Sequence, residues 1–248
     1  MATTAAILGL IISLASISLL SQIESATFSL NNKCAYPVWP ATLNNAGSPQ
    51  LSNTGFALPP GSAPVTIAGP AGWSGRFWAR TGCSTDSSGK FTCSSADCGS
   101  GQVACNGQGG APPATLMEIN LMGNNGKDTY DLSLVDGFNV PVSVAPQGGS
   151  GDCVTSSCGA NLNSQCPEEL QAKDGGGAVV GCKSACLAFN TDEYCCRNAF
   201  EPVAACKPSK YSQIFKSACP QAYSYAHDDN SSTFPCDGAA TYLITFCP

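Results

Sequence analysis

Charge is what this chain has least of. Only 11% of its 248 residues are Asp, Glu, Lys or Arg, and there is one histidine, His227. With 11 basic against 17 acidic residues, the net charge is −6. There is no basic stripe to neutralise phosphates, which excludes nucleic acid and anionic membranes as electrostatic partners. Serine catalysis also lacks its parts. No Gly-x-Ser-x-Gly elbow occurs, so His227 beside Asp228 and Asp229 reads as a local hydrogen-bonding histidine. The glycine-rich stretches "GQGG" and "GGSG" are not followed by Gly-Lys-Ser/Thr, and they read as turns rather than phosphate cradles.

The one long apolar run lies at the N-terminus. Ala5 to Leu20 holds no charge, yet it is short and interrupted by serines. With small residues following at Ser25 and Ala26, it reads as a secretory signal peptide over residues 1–25. The expected mature chain, 26–248, is long enough for a sizeable core. All 16 cysteines lie in it. An even number in a secreted chain is the arithmetic of disulfides, here up to eight. The spacing of Cys182 and Cys186 also suits a metal, but one histidine and an oxidising compartment argue against it. No metal and no cofactor is expected.

Most of the chain reads as short strands between Gly, Pro, Asn and Ser clusters. "TFSLNN", "YPVW", "GRFWART", "TLMEINL", "YDLSLV", "VPVSV" and "TYLITF" are the candidate strands. The fold class expected is therefore mainly β, a sandwich or flattened barrel. Cys153 to Cys206 differs, with eight cysteines in 54 residues. "PEELQA" and "SACLAF" suit short helices there, Pro167 suits a helical first turn, and "KYSQIFKSAC" has the best helical period. That segment predicts a loop-rich lobe held by cross-links. A smaller cysteine-rich lobe is expected at about 86–111.

The acids remain. Asp131 and Asp136 stand five residues apart, which on a straight strand would put them on opposite faces. The Asp136-Gly137 turn offers a way to swing the second carboxylate back. Glu118 interrupts an alternating apolar strand, and such a residue needs a partner or an open cleft. Paired carboxylates bind sugar hydroxyls or hydrolyse glycosidic bonds. A structural salt bridge to Arg76 or Arg80 accounts for the same residues equally well.

"GKFTCSSADCGSGQVAC", residues 89–105, resembles the signature of the thaumatin-like proteins, the plant group-five pathogenesis-related proteins, with Ser95 where that family usually shows Thr. The resemblance extends through "TFSLNNKC", "WSGRFWARTGC", "DGFNVP", "EYCC", "CPQAYSY" and the terminal "FCP", and the 16 cysteines fall in the family order. Gln221 departs from the Asp common in that motif. The resemblance implies a flattened antiparallel β-sandwich (about 26–85, 112–159 and 219–248), a disulfide-rich loop and short-helix lobe (about 160–218) and a small hairpin lobe. It also implies an acidic cleft lined by Arg76, Glu118, Asp131, Asp136 and Asp228. Nearby aromatics Phe138, Tyr223 and Tyr225 offer apolar faces to a ligand.

For function, the resemblance implies a secreted, apoplastic, monomeric defence protein that is antifungal and binds β-1,3-glucan. Weak endo-β-1,3-glucanase activity, with Glu118 as proton donor and Asp136 as nucleophile or base, is the alternative. An inhibitor or stress-accumulated protein is the third class. The family order implies the pairs Cys34–Cys247, Cys83–Cys93, Cys98–Cys105, Cys153–Cys236, Cys158–Cys219, Cys166–Cys182, Cys186–Cys195 and Cys196–Cys206. Asn230-Ser231-Ser232 is the one glycosylation acceptor in the chain.

Overall fold

A computed structural model describes residues 24–248. The expected signal segment lies outside the described residues except for Glu24 and Ser25, which begin the first strand, β1 (Glu24–Asn32).

Two sheets enclose one core. The first contains β1, β3 (Val65–Pro70), β9 (Val142–Gln147), β10 (Ser156–Cys158) and β15 (Thr241–Phe246), in the order β10-β9-β15-β1-β3. The second contains β2 (Trp39–Asn44), β4 (Ser74–Arg80), β7 (Leu116–Asn120) and β8 (Asp128–Ser133), with β13 (Ala222–Tyr223) and β14 (Thr233–Cys236) both pairing with β8. Two small hairpins complete the strands: β5 (Ser84–Thr85) with β6 (Phe91–Thr92), and β11 (Gln171–Lys173) with β12 (Val179–Cys182). Most pairs are antiparallel, but β1–β15 and β13–β8 run parallel. The fold is mainly β.

Strand alternation explains the core. Phe28 and Leu30 of β1, Phe77 of β4, Ile119 of β7, Tyr130 and Leu132 of β8, and Tyr242 and Ile244 of β15 all point inward and are buried. Phe28 sits at the centre, with ring centroids 4.7 Å from Phe77 and 5.2 Å from Trp73. Asp128 is a buried carboxylate on the inward side, satisfied by the Met122 amide at 2.8 Å and the Tyr242 hydroxyl at 2.7 Å.

"TYLITF" forms β15 in full, but two sequence expectations shift. "YPVW" contributes only Trp39 to a strand, because β2 starts there and continues to Asn44. "PEELQA" makes one 3-10 turn, Glu168–Leu170, and then a strand, with Pro167 standing just before the turn. Three short helices follow: α1 (Ala185–Phe189), α2 (Asp192–Cys195) and α3 (Lys210–Ala218). Each starts on a Ser or Thr whose hydroxyl accepts a backbone amide: Ser184, Thr191 and Ser209.

The structure holds eight disulfides: Cys34–Cys247, Cys83–Cys93, Cys98–Cys105, Cys153–Cys236, Cys158–Cys219, Cys166–Cys182, Cys186–Cys195 and Cys196–Cys206. Cys34–Cys247 spans 213 residues and fastens the end of β1 to the end of β15. Most of the others close short loops in segments with little apolar core of their own.

Candidate functional site

The outer face of the second sheet carries the site. On β4, Phe77 and Ala79 point into the core, so Arg76, Trp78 and Arg80 point outward. Two of these are covered. Trp78 packs with Ala96, Cys98, Cys105, Ala114 and Leu116, and its indole donates to the Ala96 carbonyl at 3.0 Å. Arg80 is fully buried and donates to the Trp39 and Val103 carbonyls at 3.1 and 2.6 Å. Its desolvation lowers its pKa to about 10. Arg80 is therefore a clamp on the small lobe and does not pair with Glu118. The cover ends before Arg76.

Beyond that edge lies a row of charge. Arg76 stands opposite Glu118 in the β4–β7 register, and Glu118 stands opposite Asp131 in the β7–β8 register. All three side chains thus project from adjacent strands on one face. They line a cleft of about 340 Å³ with Leu116, Ser133, Val135, Asp136, Tyr223 and Ala226. Sequence reasoning missed Leu116 and Ser133, although each lies two residues from a cleft acid and so shares its face.

Asp136 arrives by a turn. β8 ends at Ser133, and the Gly137 amide donates to the Leu134 carbonyl at 2.9 Å, closing a turn over 134–137. Gly137 has φ of 89°, and a Cβ there would lie 2.6 Å from the Cys182 carbonyl oxygen. The turn returns Asp136 to the cleft that Asp131 lines, which answers the five-residue offset.

The carboxylates crowd one another. Asp131 has its pKa pushed up to about 8, first by burial and then by the charges of Glu118 and Asp229. Glu118 is also raised, by burial foremost, while Arg76 pulls it back and Asp136 adds to the rise. The Arg76 Nε–Glu118 Oε1 separation is 3.9 Å, an ion pair too long for a hydrogen bond. Arg76 Nε and Asp131 Oδ1 are both buried and make no hydrogen bond. Buried polar atoms are normally paired, so these two are unsatisfied groups at the cleft.

Three expected cleft residues are not among the side chains that line this cleft. Asp228 pairs with Lys216, 2.9 Å from its carboxylate, and accepts from the Ser224 amide and hydroxyl at 3.0 and 2.8 Å. Its neighbour Asp229 is the acid whose charge reaches Asp131. Phe138 is fully buried, because its backbone pairs with Cys182 and its ring fills the core. Tyr225 lines an adjoining small cavity of about 50 Å³ with Ser184, Ser212 and Phe215, which shares Val135 and Ala226 with the cleft. Tyr223 does line the cleft, its hydroxyl donating to Asp229 at 2.8 Å and meeting Thr233. His227 Nε2 lies 3.0 Å from the Glu201 carbonyl oxygen. The Cys196 and Cys206 sulfurs near it are joined to each other. Asn230 is exposed on a 3-10 turn, Asp229–Ser231.

The chain belongs to the thaumatin family, whose family model matches residues 32–248. It is 56% identical over the full length of both chains to thaumatin-like protein 1 of Prunus persica. A Prunus avium protein named glucan endo-1,3-beta-glucosidase is 57% identical over 91% of each chain. Pathogenesis-related protein 5 of Arabidopsis thaliana is 54% identical, over 91% of this chain and 92% of its own. Among solved structures, a laminaripentaose-producing β-1,3-glucanase in complex with laminaritetraose shares the fold. Its TM-score is 0.57 at 13% identity, over 90% of this chain and 98% of that one.

Proposed function

We propose that this is a secreted, monomeric plant defence protein that binds β-1,3-glucan of fungal walls in the cleft of Arg76, Glu118, Asp131 and Asp136. The observation that carries the reading is the side-by-side row Arg76–Glu118–Asp131 with two unsatisfied polar atoms at an open cleft. A sugar hydroxyl both donates and accepts, so it needs both kinds of partner. Arg76 donates, the Glu118 carboxyl beside it accepts, and Asp131, with its pKa pushed up to about 8, keeps its proton at neutral pH and donates as well. Tyr223 supplies an aromatic face beside them. The family membership and the relative named as a glucosidase support a β-1,3-glucan as the polymer.

Hydrolysis is the second reading. It is favoured by Glu118, whose pKa is raised by burial beside Asp136, the pattern of a proton donor facing a carboxylate. One experiment separates the two. Incubation with insoluble β-1,3-glucan should retain the protein in the pellet, and Glu118→Gln should weaken retention about tenfold, the worth of one charge-assisted hydrogen bond. Release of reducing ends that Glu118→Gln abolishes would establish hydrolysis. Retention that neither Glu118→Gln nor Arg76→Ala alters, with no reducing ends released, would overturn both readings.

A further inference from the structure

A second concave site lies at the other end of β4. Thr81 follows Arg76 by five residues, about 17 Å along an extended strand, and with Gly82 it enters a pocket of about 460 Å³. This pocket shares no residue with the acidic cleft. Its walls are Tyr36, Pro37 and Trp39 on one stretch and Val179 and Val180 of β12 on another, with Asn139 and Asn163.

Three features define what it would take. No Asp, Glu, Lys, Arg or His lines it, so it selects against charge, because an ion entering would lose hydration without a partner. Two aromatic side chains contribute to the walls: Tyr36 is 43% exposed and Trp39 is half-buried. Tyr36 is steadied by its hydroxyl, which reaches Sγ of the oxidised Cys247 at 3.7 Å, and the Trp39 ring leans on Phe91 at 6.2 Å.

The third feature is an unsatisfied acceptor. The Asn163 amide nitrogen donates to the Asn139 carbonyl at 3.0 Å, which fixes the orientation of the amide. Its Oδ1 is then buried with no hydrogen-bond partner. Asn139 offers no competing need, since its own amide is engaged by the Thr115 amide, Ala79 carbonyl and Ser95 hydroxyl. A buried acceptor left unpaired costs free energy that a ligand hydroxyl would recover. Apolar faces, a neutral wall and one acceptor wanting a hydroxyl describe a pyranose ring, with its apolar C–H face and equatorial hydroxyls.

We propose that this pocket is a second carbohydrate site, binding a neutral pyranose through Tyr36, Trp39 and Asn163 independently of the acidic cleft. The probe is methyl β-glucopyranoside, titrated into the 15N-labelled protein. The expected result is saturable shifts of the Trp39 indole N–H and the Asn163 side-chain amide, unchanged in Glu118→Gln. Tyr36→Ala should weaken the affinity about three- to tenfold, the worth of one aromatic face, and Tyr36→Phe should retain it. Absence of shifts at both reporters would overturn the proposal. So would shifts confined to the cleft, unchanged affinity in Tyr36→Ala, or tighter binding of phenol than of the glycoside at this pocket. Because the probe is scored at Trp39 and Asn163, failure here leaves the cleft reading standing, and failure of the cleft leaves this one standing.

Discussion

Lys216 of α3 holds Asp228 at 2.9 Å and ties three partners together with one ammonium. It also donates to the Ala222 carbonyl and the Ser232 hydroxyl, both at 3.0 Å. One cation on a helix thus anchors the loop that follows β13. Lys216→Met should destabilise the protein by about 1–3 kcal/mol, because it removes the counter-charge of a mostly buried carboxylate and leaves a buried hydroxyl unpaired. For a chain of this size that is a fall of roughly 2–4 °C in Tm per kcal/mol, readable in a thermal melt. Asp228→Asn should leave glucan retention near the wild-type level while Glu118→Gln lowers it, since only the latter side chain lines the cleft.

Asp131 should make the fold more stable at mildly acidic than at alkaline pH. Its folded pKa of about 8 lies well above the unfolded value near 4. Between those values the unfolded chain releases a proton that the folded chain keeps, so stability falls as pH rises through that window. Glu118, raised for the same foremost reason, adds to the slope. One group contributes at most about 1.4 kcal/mol per pH unit. Urea denaturation at pH 5 and pH 8 should show the protein more stable at pH 5, and Asp131→Asn should reduce the difference. Equal slopes in the two proteins would refute this.

Gly137 positions Asp136 by what it lacks. Gly137→Ala would force a side chain onto a backbone at φ 89°, against the Cys182 carbonyl oxygen and Pro113. The strain should cost about 1–3 kcal/mol and move the neighbouring carboxylate. Both a lower Tm and weaker glucan retention are expected, whereas Asp136→Asn should weaken retention alone.

The Cys34–Cys247 bond closes a loop of 213 residues, and loop-closure entropy assigns it about 5 kcal/mol. Replacing both cysteines by serine should lower stability by about 2–5 kcal/mol, the range for native bridges. The measured quantity is the denaturant midpoint under oxidising conditions. An unchanged midpoint would place the stability of the β1–β15 contact in the strand pairing alone.

The strands that carry the cleft acids are legible in the sequence because alternation is a local property. Glu118 among Leu116, Met117 and Ile119, and Asp131 between Tyr130 and Leu132, both announce an outward position on a half-buried strand. Asp228 is not legible, since its ion-pair partner Lys216 comes from a separate element, α3. Phe138 misleads for a related reason. An aromatic beside an Asp-Gly turn looks exposed, but backbone pairing with Cys182 folds it inward. "VTIAGP" escapes notice as β3 because it is short and ends in Gly-Pro, yet β1 needs an edge partner. Such assignments depend on contacts between distant segments, which no short window contains.

Chain order leaves the first sheet open until late in synthesis. β15 lies between β9 and β1, so the strand at the sheet's interior leaves the ribosome about a hundred residues after β9 and two hundred after β1. Until residue 247 emerges, β1 and β9 each present an edge without β15, and Cys34 has no partner thiol. Exposed edges of that kind recruit other chains. The nascent protein is therefore at its most vulnerable to aggregation just before it is finished. A polypeptide cut short before β15 would lack an interior strand of its sheet rather than a dispensable tail.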